Sequence, residues 1–103
     1  MDHIRSTDTT EEILREVGAR LRGFRLLQNV TQAELAETAG VGHATVKRAE
    51  SGESIRLESL VKILRALGRV EALDSFLPEP LVSPIRLAEE RERRRQRARR
   101  SRG

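Results

Sequence analysis

The chain of 103 residues carries 20 Lys+Arg against 16 Asp+Glu, with no Cys, no Trp, no Tyr and two Phe. Such a length suits one small core plus tails, the missing Cys removes disulfides, thiolate metal sites and cysteine nucleophiles, and no apolar run approaches the ~20 residues that cross a bilayer. The net charge of +4 divides unevenly, because residues 1–84 hold 11 Lys+Arg and 13 Asp+Glu while residues 85–103 hold nine Arg and three Glu, so attraction to nucleic acid in the body must come from a local patch.

Residues 1–9 are polar and lack apolar spacing, which predicts a flexible N-terminus. Thr9 with Glu12 forms a capping box, and Ile13, Leu14, Val17, Leu21 and Phe24 recur at spacings of three and four. A first helix is therefore expected over about Glu11 to Gln28. A second capping box, Thr31 with Glu34, opens a helix that runs to Ala39. Gly40 then suits the left-handed turn that closes it. A third helix is expected over about His43 to Ser51, with Val46 and Ala49 inward and Gly52 closing it. Leu57, Leu60, Val61, Leu64 and Leu67 mark a fourth helical stripe, ended by Gly68. Val70 to Leu77 reads as a short fifth helix, stopped by Pro78.

With 37% hydrophobic but 2% aromatic residues, the core has to be built from Leu, Val, Ile and Ala, the materials of packed helices. Strand-like alternation and internal repeats are absent. The expected fold class is all-α. Domain boundaries are expected at 10–77 for the helical domain, 78–84 for a connector with three prolines, and 85–103 for an Arg-rich tail, helical or disordered. Ser83 and Pro84 have the residue types of a helix cap and first turn. Glu89 with Arg93 and Glu90 with Arg94 are spaced for exposed i to i+4 pairs, each worth about 0.2–0.5 kcal/mol.

Two short helices joined at Gly40 form a compact pair whose second member projects from the surface. Ala36, Gly40, Val41 and Val46 leave room for a steep crossing, the helix-turn-helix geometry. On the third helix, burial of Val46 and Ala49 leaves His43, Ala44, Lys47 and Arg48 outward, with Thr45 at the edge.

The stretch Thr31-Gln32-Ala33-Glu34-Leu35-Ala36-Glu37, then Ala39-Gly40-Val41, and Glu50-Ser51-Gly52 resembles the Cro/repressor-type (XRE) helix-turn-helix family over about residues 14–77. The resemblance implies a five-helix, lambda-repressor-like domain, here with an Arg-rich C-terminal extension. It also implies that the third helix enters the major groove of a double-stranded, near-palindromic DNA operator, bound as a homodimer. Combined with the outward face of that helix, the resemblance makes Arg48 the first candidate base reader, since its fork matches the two major-groove acceptors of guanine, with His43 and Lys47 next and Ala44 suited to a thymine methyl. Gln32 matches a family position that contacts phosphate, and Ser51 and Arg56 are further phosphate candidates. Arg25 and Glu50 match a family pair that forms a partly buried structural salt bridge. One departure is Gly42, which stands where the family has a Ser or Thr cap.

No catalytic motif, metal-ligand set or phosphate loop occurs, so neither an enzyme nor a cofactor is expected. Absence of a membrane segment predicts a cytoplasmic protein associated with the bacterial nucleoid. The reading is a DNA-binding transcriptional repressor that regulates its own operon. Lack of room for a sensor leaves control through concentration, a protein partner or degradation, which suggests an antitoxin with a toxin partner, similar in layout to HipB-like antitoxins; restriction-modification controllers and phage repressors remain open. The alternative is a protein-binding adaptor whose tail binds RNA or an acidic surface. Leu73, Phe76, Leu77, Leu81 and Val82 are the apolar candidates for a dimer surface.

Overall fold

The computed structural model describes residues 3–102; Met1 and Asp2 of the expected N-terminus, and Gly103 of the expected tail, lie outside the described residues. Contacts divide the chain into two units, with the break after Ala72. The elements are all helical: α1 (Thr10–Leu27), α2 (Gln32–Ala39), α3 (His43–Glu50), α4 (Leu57–Ala66), α5 (Ala72–Phe76) and α6 (Pro84–Arg102). Among the described residues there is no strand. No described helix is long and apolar enough to cross a membrane.

Local chemistry fixes the starts of α1 and α2. The Thr9 hydroxyl accepts from the Glu12 amide at 3.1 Å while the Glu12 carboxylate accepts from the Thr9 amide at 3.1 Å. Thr31 and Glu34 repeat this exchange at 3.1 and 3.0 Å. These bonds satisfy amides that a helix start leaves without partners, and they hold both carboxyls below the usual carboxylate range. α3 begins differently, because Gly42 offers no side-chain cap.

One kind of closure ends α1 to α4. Asn29, Gly40, Gly52 and Gly68 each take positive φ, at 57°, 74°, 84° and 70°. In each case the next amide reaches back to a carbonyl five residues earlier: Val30 to Arg25, Val41 to Ala36, Glu53 to Arg48 and Arg69 to Leu64. This is the Schellman arrangement, which lets the chain reverse within a few residues. Four helices thereby fold back over one small core. Gly52 is also sterically required, because a Cβ there would approach the Arg15 Cγ to 2.6 Å.

Leu21, Leu35, Ala36, Val46, Ala49, Ile63 and Leu67 form the buried centre, with Val17, Phe24, Val41, Ile55, Leu60 and Leu64 packed around it. α2 packs on α3 and α4, and α1 packs on α3. The α4 stripe differs from the expected one at two positions. Leu57 opens the helix at 73% exposure, whereas Ile63, absent from the expected stripe, is 1% exposed at the core's centre. The amide of Gln28 ties the end of α1 to the Leu67 carbonyl at 2.7 Å, and the Arg69 guanidinium lies 4.2 Å from the centroid of the Phe24 ring.

α5 ends at Phe76, seven residues separate it from Pro84, and in the second unit α6 starts with the Ser83 hydroxyl accepting from the Arg86 amide at 3.3 Å. The expected Glu89–Arg93 and Glu90–Arg94 pairs are not among the ion pairs found in the described residues; Glu92 pairs with Arg95 at 3.4 Å and Glu79 with Arg86 at 2.9 Å. All these groups are exposed, so the choice among such pairs has little energetic weight.

Candidate nucleic-acid interface

α3 is held from behind and open in front. Val46 and Ala49 are buried against the core, while His43, Ala44, Lys47 and Arg48 are exposed and Thr45 is half-buried at the edge. Spacing of three between the buried pair fixes which face turns outward. At 8 residues α3 is about 12 Å long, and a helix with its side chains is about 10–12 Å across, the width of a B-DNA major groove.

Two concavities flank this helix. One is lined by Arg22, Thr31, Gln32, Ala33, His43, Lys47 and Ser51, with Arg25 and Glu50 also in its wall. The other is lined by Thr45, Arg48, Ser54, Ile55, Arg56 and Ser59. The structure thus brings Gln32, His43, Lys47 and Ser51 together on one side, and Thr45, Arg48 and Arg56 on the other. Ala44 lines neither and stands exposed. Arg22 joins the first group without having been singled out from the sequence. Its one signal there was a position one helical turn before Arg25, on the same face of α1.

Arg25 and Glu50 meet in a two-pronged pair, Nε to Oε2 at 2.6 Å and Nη2 to Oε1 at 2.9 Å. Their side chains are 9% and 5% exposed. The remaining Arg25 prong donates to the Val30 carbonyl at 2.9 Å, and the Gln32 amide donates to Glu50 Oε1 at 3.1 Å. Three elements are therefore joined at one carboxylate: α1 through Arg25, α2 through Gln32, and the end of α3 through Glu50. No buried side-chain polar atom among the described residues lacks a partner.

Burial alone would raise the Glu50 carboxyl, but hydrogen bonds from Arg25 and Gln32, with the positive charges of Arg25 and Arg22, outweigh it and hold the group below its ordinary range. The hydrogen bond to Glu50 in turn raises Arg25 against its own burial. Folded Glu50 gives up its proton at lower pH than unfolded Glu50. Its contribution is therefore complete above the ordinary Glu value of about 4.3 and is lost as pH falls through the lower folded value. Wild type and Glu50→Gln should accordingly converge in urea midpoint on acidification below that range; a gap that does not narrow would contradict this.

Two of the candidate phosphate contacts have internal partners. Gln32 gives one amide hydrogen to Glu50 and keeps a second. The Ser51 hydroxyl lies 2.9 Å from the Lys47 carbonyl, 3.1 Å from that of Arg48 and 3.1 Å from the Glu53 carboxylate, all acceptors for its single hydrogen. Arg56 is exposed at the start of α4. No group of three or more His, Asp or Glu able to hold a metal ion occurs among the described residues.

Residues 21–73, just over half of the chain, match the protein-family model described as Helix-turn-helix. The matched span takes in all of α2, α3 and α4. No curated protein matches the chain.

Proposed function

The chain belongs to the XRE-type helix-turn-helix family of DNA-binding transcription regulators, with its all-helical, lambda-repressor-like fold, and from that premise we propose that it is a sequence-specific repressor reading a near-palindromic operator as a homodimer. The observation that carries this is the face of α3: His43, Ala44, Lys47 and Arg48 are exposed together on a short helix whose back is locked into the core. Arg48 is the main base reader, bonding the two acceptors of a guanine. Lys47 and His43 contact neighbouring base edges or phosphates, Ala44 meets a thymine methyl, and Thr45 sits at the groove's edge.

Gln32, Ser51 and Arg56 fix the register on the phosphates. Gln32 does so with the amide hydrogen that Glu50 does not take, whereas Ser51 has to redirect its hydroxyl from the end of α3. In this reading the helical domain covers 10–77 and residues 78–84 connect it to the tail. A palindromic operator mirrors a two-fold protein, and the exposed Phe76, Leu77, Leu81 and Val82 supply apolar surface for a second copy. Autoregulation with a toxin partner, on the pattern of HipB-like antitoxins, completes the proposal; a toxin reading frame beside the gene is the observation that bears on it.

The test starts by selecting a preferred site from random duplexes with the full chain. Arg48→Ala should then weaken binding to that site by about 1–3 kcal/mol, roughly 5- to 150-fold, with little change on a random duplex. Equal affinity of wild type for selected and random duplexes would sink the reading.

A further inference from the structure

The strongest charge in the molecule lies on α6, where it follows a pattern. Between Arg91 and Arg99 stand six arginines and one glutamate, and every residue of that stretch is exposed. The helix continues without a break to Arg102. At 1.5 Å per residue the stretch spans about 12 Å, which places a net positive charge every ~2.4 Å. Duplex DNA carries one negative charge per ~1.7 Å of its axis. A folded protein surface intersperses charges of both signs, so a duplex is the closer match in density.

The arginines also form two rows. Arg91, Arg95 and Arg99 follow each other at intervals of four, along one side of the helix. At about 100° per residue, Arg93 and Arg97 make a second row on the opposite side. Like charges at this spacing repel and weaken an isolated helix. Two opposed basic rows on a cylinder about 10–12 Å wide do suit a groove about 12 Å wide whose two rims are phosphate backbones. The deep, narrow major groove of duplex RNA offers no such entry.

Residues 77–83, which join α5 to α6, reach at most about 25 Å at 3.3–3.6 Å per residue. Once α3 is on DNA, that tether holds α6 at high effective concentration near the same duplex.

We propose that α6 enters the major groove of duplex DNA beside the operator, with Arg91, Arg95 and Arg99 on the phosphates of one strand and Arg93 and Arg97 on those of the other. It adds affinity without adding sequence preference. This deepens the operator reading and depends on it only for the place where α6 lands.

The full chain and its Arg91→Gln/Arg95→Gln/Arg99→Gln variant are compared on the selected site and on a random duplex between about 50 and 200 mM salt. Loss of three phosphate contacts should make the slope of log affinity against log salt shallower by about 2.7 on both duplexes, while the ratio of affinities between them stays unchanged. The corresponding triple Arg→Lys variant should keep the wild-type slope, since counterion release counts charges. Equal thermal midpoints show that the fold is untouched. An unchanged slope in the Gln variant overturns the proposal, and so does a changed site preference. Polyglutamate that displaces the tail-dependent binding as well as duplex DNA does, charge for charge, also overturns it in favour of an acidic protein partner. If wild type prefers no site at all, the operator reading fails, yet the slope difference on random duplex still decides the role of α6.

Discussion

Arg25→Ala should cost the domain about 3–5 kcal/mol, the range for removing one partner of a buried ion pair. The substitution removes a cation from a site where its side chain is 9% exposed and leaves the Glu50 carboxylate, 5% exposed, with Gln32 as its remaining partner. It also takes the donor from the Val30 carbonyl. A small domain has about 5–15 kcal/mol of stability in total, so this is a large share. At about 4–8 °C per kcal/mol, the thermal midpoint should fall by more than ~10 °C. Arg25→Lys should recover little of the loss, because an ammonium cannot make the two parallel bonds at 2.6 and 2.9 Å. The double variant Arg25→Ala/Glu50→Ala should lose less than the two single losses added together, since it no longer strands a charge. An unchanged midpoint for Arg25→Ala would remove the pair from any account of this domain's stability.

Much of the fold was legible because it is encoded locally. Thr9 with Glu12 and Thr31 with Glu34 need only their own four residues to form, and a glycine after an apolar stripe needs only its own φ. Element starts therefore came out within a residue or two for α1 to α4. What spacing does not encode is which turn of a helix a neighbour covers. Leu57 and Ile63 are both apolar and both on α4, yet the first is exposed and the second is at the centre, and only the approach of the other helices separates them. Arg22 is another such case, ordinary in sequence and part of a basic concavity once α1 packs beside α3. For α6 the signals conflict. Arg, Glu, Ala and Gln are good helix formers, whereas rows of like charge oppose the helix, so composition alone left its state open.

Gly18→Val should be the second severe change, and its cause is invisible to any reading of α1 by itself. Gly18 is buried where α1 crosses the end of α3. A Cβ at that position would lie 2.8 Å from the Glu50 carbonyl oxygen and closer still to that of Ala49. Both obstacles are backbone, so no rotamer relieves them, and the two helices would have to separate. A mid-helix glycine normally costs about 1 kcal/mol relative to Ala, so with open space around it a larger residue other than proline should help. Here overpacking of about 1–3 kcal/mol or more opposes that gain, and valine adds two further carbons and a poorer helix propensity. We expect a net loss of about 3 kcal/mol, at the top of that range. Gly23→Ala, in the same helix with nothing within 4 Å of its Cβ position, provides the contrast and should stabilise by up to about 1 kcal/mol. Separating α1 from α3 also pulls apart the helices that carry Arg25 and Glu50, so the losses from Gly18→Val and Arg25→Ala should combine to less than their sum. Because α3 is held from behind at this crossing, Gly18→Val should reduce preference for the selected DNA site even at temperatures where the chain remains folded. A Gly18→Val protein that melts with wild type, while Gly23→Ala melts higher, would show that the crossing tolerates the added carbons and that α3 is positioned by other contacts.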